Sequence, residues 1–148
     1  MAEHTTSSID IGASKSDIMA VIADLEAYPE WTTSFREVEV LTVYDDARQA
    51  TARFVLDGGP IKDSYVLSYE WNGTDDVTWT LVEGGLIKAL DGAYTLADGD
   101  DPGTTTVTYR LAVDIAIPML GLMKRKAEKV IIDTALKELK KRVENGGG

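Results

Sequence analysis

The chain has 148 residues, the usual size of one domain, and its 44% hydrophobic and 27% charged residues exclude a disordered or collagen-like sequence. Its formal net charge of -10 argues against nucleic acid as a partner, because phosphate binding relies on clustered Lys and Arg. There is no cysteine, so disulfides, thiolate metal sites and cysteine nucleophiles are excluded together.

The first eight residues lack the basic segment and apolar core of a signal peptide, and no stretch reaches about 18 consecutive apolar residues. A cytoplasmic protein with no stable membrane insertion is the expectation. Thr6 to Ile11, with Ile9 and Ile11 in phase, predicts a first strand. Ser14-Lys-Ser-Asp17 resembles a capping box, and Ile18, Val21, Ile22 and Leu25 follow at the spacing of a short amphipathic helix. Pro29 disfavours helix at Tyr28 and predicts a corner there.

From Phe35 the period changes to two. Val38 and Val40 alternate with glutamates, Asp45-Asp46 marks a turn, and Ala52, Phe54 and Leu56 run to a turn at Asp57-Gly-Gly-Pro60. Ile61 to Trp71, an Asn72-Gly73 turn, and Val77 to Glu83 form the next pair. Ile87 to Leu96 and Thr104 to Ile115 complete six antiparallel strands after the first helix, separated by a polar loop. Short connections favour hairpins over parallel crossovers.

After Pro118 neither proline nor an internal glycine beyond Gly121 interrupts the chain until the glycine tail at 146–148, so a helix is predicted from Met119 to about Glu144. Met119, Leu122, Met123, Ala127, Val130 and Ile131 form one apolar set, continued by Ile132, Leu136, Leu139 and Val143. Eight of the fifteen Lys and Arg but only four of the twenty-five acids fall from Met119 onward, which leaves +4 there and -14 in the body. A solvated basic face accounts for this, with membrane or partner contact as the alternative. A strongly twisted sheet curled around one rod need not close on it everywhere, so a cavity is expected where they diverge.

Polar groups in phase with inward apolar residues are the chemical candidates. Tyr65, Tyr69, Trp79, Tyr94 and Tyr109 share phase with Leu67, Leu81, Leu96 and Leu111. The candidate cavity lining is Phe54, Tyr65, Leu67, Tyr69, Trp79, Leu81, Tyr94, Tyr109 and Leu111, joined by Met119, Met123 and Ala127 of the helix. Plain core packing is the alternative for each. Asp63 and Glu83 share the inward phase; a carboxylate there could serve as an acid or base, unless a bulge turns it outward or Arg53 or Arg110 pairs with it. The one histidine, His4, lies in the N-terminal segment, and no nucleotide, metalloprotease or serine-hydrolase motif occurs, so no catalytic residue, metal or cofactor is assigned.

Asp24-x-x-x-Tyr28-Pro29-x-Trp31, Val77-x-Trp79-x-x-x-Glu83-Gly84, Gly92-x-Tyr94-x-Leu96 and the long terminal helix together resemble the START-like or Bet v 1-like superfamily, and within it small bacterial proteins grouped with polyketide cyclases and dehydratases. The resemblance covers essentially the whole chain. It implies an α+β helix-grip fold: a seven-stranded antiparallel sheet wrapped around a long C-terminal helix, with two short helices after the first strand. It implies one domain over residues 1–145 with a glycine tail at 146–148. It further implies an apolar cavity for a lipid or polyketide-like ligand, with Tyr28 and Trp31 plugging one end of the sheet or contributing to the cavity mouth. The expected function is binding or carriage of a hydrophobic small molecule, with access near Gly58-Gly59-Pro60, Gly84-Gly85 and Pro118. A cyclase- or dehydratase-type enzyme is the alternative, and a protein-interaction module using the basic helix face is a second.

Overall fold

The computed structural model describes residues 5–32, 35–58, 61–116 and 121–145. The elements run β1 (Thr5–Ile11), α1 (Lys15–Ala23), a 3-10 turn (Leu25–Ala27), α2 (Tyr28–Trp31), β2 (Phe35–Val43), β3 (Gln49–Gly58), β4 (Ile61–Asn72), β5 (Asp76–Gly84), β6 (Ile87–Asp98), β7 (Thr105–Ile115) and α3 (Gly121–Glu144). All seven strands join one antiparallel sheet in the order β1-β7-β6-β5-β4-β3-β2. This is the helix-grip arrangement that the family resemblance implied.

Local chemistry explains the element boundaries. Ser14 caps α1 by accepting a hydrogen bond from the Asp17 N–H at 3.1 Å, and the helix then buries Ile18, Met19, Val21 and Ile22. The local reading of Pro29 predicts a corner at Tyr28; the structure has there the second short helix that the resemblance implies, because Pro29 falls in its first turn, where no N–H is needed, and Tyr28 is held in helical geometry. The Tyr28 hydroxyl donates to the Ile22 carbonyl at 2.6 Å and ties α2 to α1. At the Asn72-Gly73 turn, Gly73 sits at φ +57°, which suits a residue without Cβ.

One register shift corrects the strand phase. Leu67 pairs with Leu81 and Val66 with Glu83, so a bulge absorbs Val82 and leaves Glu83 on the exposed side. Arg53 pairs with Glu39 at 3.2 Å, across the β2–β3 ladder.

α3 buries Ile132, Leu136, Leu139 and Val143, and each of these side chains contributes about 1.5–3 kcal/mol through loss of water contact. Of the apolar set predicted nearer the helix start, the described Ala127, Val130 and Ile131 are exposed, and Glu128 is the buried residue of that turn. Its carboxylate accepts from the Thr5 hydroxyl at 2.6 Å and from the Val113 N–H at 2.8 Å. Val113 lies two residues beyond Leu111, the partner of Thr5, and Glu128 takes its N–H. Satisfying that donor is what makes a buried carboxylate tolerable here. Towards its other end α3 covers the free edge of β1: the Lys140 ammonium donates to the Asp10 carbonyl at 2.9 Å, and the Glu144 carboxylate accepts from the Gly12 N–H at 2.8 Å.

The basic excess of α3 is partly answered within the fold. Lys124 pairs with Asp114, Lys129 with Asp133 at 2.8 Å and Arg142 with Glu30 at 3.3 Å. Such exposed pairs contribute about 0–1 kcal/mol each. No helix among the described residues is long and apolar enough to cross a membrane.

Candidate ligand cavity

α3 packs against β1, β7, α1 and α2, towards one end of the sheet. The concave face of β3 to β6 is therefore not sealed by the helix, and a cavity of about 160 Å³ lies between them. The strands supply Phe35, Phe54, Leu56, Tyr65, Leu67, Tyr69, Trp79, Ile87, Leu90, Tyr94, Tyr109, Leu111 and Val113; α2 and its C-cap supply Tyr28, Trp31 and Thr32; α3 supplies Ile131 and Ala135. Trp31, Phe35, Leu56 and Val113 are half-buried and Ile131 is exposed, so the cavity opens at their side.

Register builds the aromatic wall. Phe54 pairs with Tyr65, Tyr69 with Trp79, and Tyr94 with Tyr109, which places rings on one face of five successive strands. Phe54 and Tyr65 stack with centroids 5.7 Å apart, Tyr94 and Tyr109 lie 4.7 Å apart, and Trp79 meets Tyr109 edge-on at 5.6 Å. Tyr28 extends the wall through Trp31 at 5.0 Å. Trp79 has room because Gly92 sits beside it on β6: a Cβ at that position would run into the indole ring.

The polar content of the cavity is phenolic. Tyr65, Tyr69, Tyr94 and Tyr109 are buried, yet their hydroxyls make no hydrogen bond with a described residue. No buried side-chain oxygen among the described residues is both sealed from accessible space and unpartnered, so these four hydroxyls open into the void. Burial pushes all four phenols up, and neighbouring phenols push Tyr65, Tyr69 and Tyr94 further. They are protonated donors across the ordinary pH range.

Carboxylates stand outside the described lining. Asp63 keeps its inward phase opposite Leu56, but its carboxylate is occupied by backbone: the Ile87 N–H donates to it at 3.0 Å. Burial pushes the Asp63 carboxyl up, and the combined N–H groups of Ile87, Leu86, Ser64 and Gly85 outweigh it and hold the group below its usual range. A Cβ at Gly85 would lie 2.5 Å from the Asp63 carboxylate and would push it out of this position. Asp63 is thus a clamp on the β5–β6 turn. A second acid touches the wall from behind: Glu138 accepts from the buried Thr32 hydroxyl at 2.8 Å and adds to the upward push on Tyr94.

Of the residues predicted to line a cavity, Phe54, Tyr65, Leu67, Tyr69, Trp79, Tyr94, Tyr109 and Leu111 are brought together around it. Leu81 is half-buried and packs on the core beside the Val82 bulge, away from the lining. Ala127 is exposed, and Ile131 and Ala135 hold the helix side of the wall instead. Met119 and Pro118 lie outside the described residues, as do Gly59-Pro60 and the Met123 side chain. Leu56 and Val113 were reachable by counting in steps of two from Phe54 and Leu111. Ile87 was not, because the register shifts between Ile87 and Ala89.

Comparison with known proteins places this architecture. A START superfamily protein from Mycobacterium smegmatis superposes with a TM-score of 0.89 at 20% identity, covering 96% of this chain and 97% of that one. A protein from Thermus thermophilus gives 0.79 at 20% identity, covering 99% and 100%. The Zhui aromatase/cyclase from Streptomyces sp. R1128 gives 0.78 at 11% identity, covering 97% and 94%. At such identities the likeness carries the fold alone. No curated protein sequence matches the chain. The sequence profile of one family, described as polyketide cyclase / dehydrase and lipid transport, matches residues 11–140, and the chain belongs to that family.

Proposed function

We propose that this protein binds and carries a hydrophobic small molecule, lipid or polyketide-like, between its sheet and α3, acting in the cytoplasm as one domain over residues 1–145. The observation that carries this reading is the cavity of about 160 Å³, walled by aromatic and aliphatic side chains and reached by four phenols with no hydrogen-bond partner among the described residues. Binding would be driven by burial of apolar ligand surface, at about 25 cal/mol per Å², with the phenols setting orientation. Native mass spectrometry of protein purified from its own host should show a retained apolar mass, released on denaturation. Protein that is always empty and takes up no apolar compound on titration would overturn the reading.

A cyclase- or dehydratase-type enzyme is the second reading, favoured by the fold shared with the aromatase/cyclase. The described lining offers neither carboxylate nor imidazole, so such an enzyme would position its substrate and stabilise charge through tyrosine donors. Turnover abolished by Tyr94→Phe with binding retained would support it.

A further inference from the structure

Resting on the carrier reading, we propose that the cavity selects uncharged, flat molecules of about one to two rings that bear a hydrogen-bond-accepting oxygen, and that it rejects carboxylates and phosphates. Three independent features converge on that class. The first is the set of phenols: Tyr65, Tyr69, Tyr94 and Tyr109 present hydroxyls to the void with no partner among the described residues. A buried donor left unmade costs about 1–3 kcal/mol, so a ligand oxygen that accepts from one of them gains more than a hydrocarbon of the same shape. Burial keeps these phenols protonated, so they offer donors and not phenolates.

The second feature is charge. No Lys, Arg or His occurs among the described lining residues. An anion entering the cavity would lose its hydration with no cation in return, a penalty of several kcal/mol per ion even after relaxation. Glu138, hydrogen-bonded to Thr32 at the wall, makes the local potential more negative. A fatty acid's carboxylate or a phospholipid's phosphate would meet phenol donors there but no cation among the described lining residues to offset its lost hydration.

The third is shape. A cavity of about 160 Å³ is close to the roughly 150 Å³ void that accepts benzene in an engineered protein core. The walls are rings 4.7 to 5.8 Å apart, centroid to centroid, and they offer flat faces and edges to an aromatic guest. A sterol or long acyl chain would require the walls to move.

The test uses four probes titrated into the full chain, with tryptophan fluorescence and calorimetry as readouts. 1-Tetralone and tetralin share a bicyclic skeleton and differ by one carbonyl; 1-naphthoate carries a carboxylate on a similar frame; decanoate is an acyl anion. Tetralone should bind about tenfold more tightly than tetralin, one hydrogen bond's worth, and at least about tenfold more tightly than naphthoate or decanoate. The Tyr94→Phe/Tyr109→Phe variant should bring tetralone down to the affinity of tetralin while leaving tetralin unchanged, with Tyr65→Phe/Tyr69→Phe as a second pair should the first fold poorly. Tetralin binding as tightly as tetralone, or either anion matching tetralone, overturns the proposal and leaves the carrier reading standing. Failure of all four to bind overturns the proposal, and the carrier reading falls with it only if the purified protein is also empty by native mass spectrometry.

Discussion

The indole of Trp79 on β5 lies against the Cα of Gly92 on β6, where any Cβ would collide with the ring. Gly92→Ala should therefore force Trp79 off its seat and towards the cavity, costing about 1–3 kcal/mol of stability as overpacking does and shrinking the void. Chemical denaturation followed by tryptophan fluorescence reads both effects. An unchanged midpoint with an unchanged native spectrum would show that the contact is not tight.

Tyr28 and Tyr69 are both buried phenols, but only Tyr28 has a partner, the Ile22 carbonyl at 2.6 Å. Tyr28→Phe should lose about 1 kcal/mol by orphaning a buried carbonyl, whereas Tyr69→Phe should be neutral or stabilising, because it removes a hydroxyl that has no protein bond. Urea midpoints of the two variants decide the matter. Equal losses would mean that the Tyr69 hydroxyl is hydrogen-bonded in solution.

Glu128 joins α3 to two strands through the Thr5 hydroxyl and the Val113 N–H. Glu128→Ala strands the Val113 donor and should cost about 1–3 kcal/mol for that group alone. Glu128→Gln should cost less, since an amide can accept from Val113 with its oxygen and donate to the Thr5 oxygen with its nitrogen. Equal costs for the two variants, measured by thermal or urea unfolding, would make charge rather than hydrogen-bond satisfaction the decisive property.

Asp63 supplies a pH dependence. Its folded carboxyl titrates below the usual 3.8, since backbone N–H groups outweigh the effect of burial, and the unfolded chain titrates near the usual value. The unfolded state thus takes up the proton first, so the contribution is present above about pH 4 and fades as pH falls through the folded value. Asp63→Asn should be less stable than the natural chain at about pH 6, with the gap narrowing towards about pH 3. A gap that stays constant over that range would remove the carboxylate's charge from the account.

Much of the framework is visible before any coordinates. Alternation from Phe54 to Leu111 and the uninterrupted run after Gly121 mark the strands and the long helix, because period two and period 3.6 are imposed by backbone geometry. The strand side of the cavity follows from the same counting. What could not be read lies where a three-dimensional decision overrides a local one. The bulge at Val82 turns Glu83 out; Pro29 sits inside the first turn of the second short helix, where the residue pattern alone marks only a corner; and α3 is rolled so that Glu128, not Ala127, faces inward. The last of these depends on the Val113 N–H that Glu128 accepts from, more than ten residues away along the chain, and no periodicity of α3 itself encodes it.

The division of labour along α3 also bears on motion. From Lys124 to Ile131 only Glu128 is buried, whereas Ile132, Leu136, Leu139 and Val143 follow in close succession, so the first half is fastened by polar bonds at a few points and the second by continuous apolar packing. Local opening should therefore begin near the start of the helix, with amide exchange at 125–131 outpacing that at 136–143. The frayed half would include Ile131, at the mouth of the cavity, so the rate at which a guest comes and goes would be tied to the breathing of two helical turns and not to global unfolding.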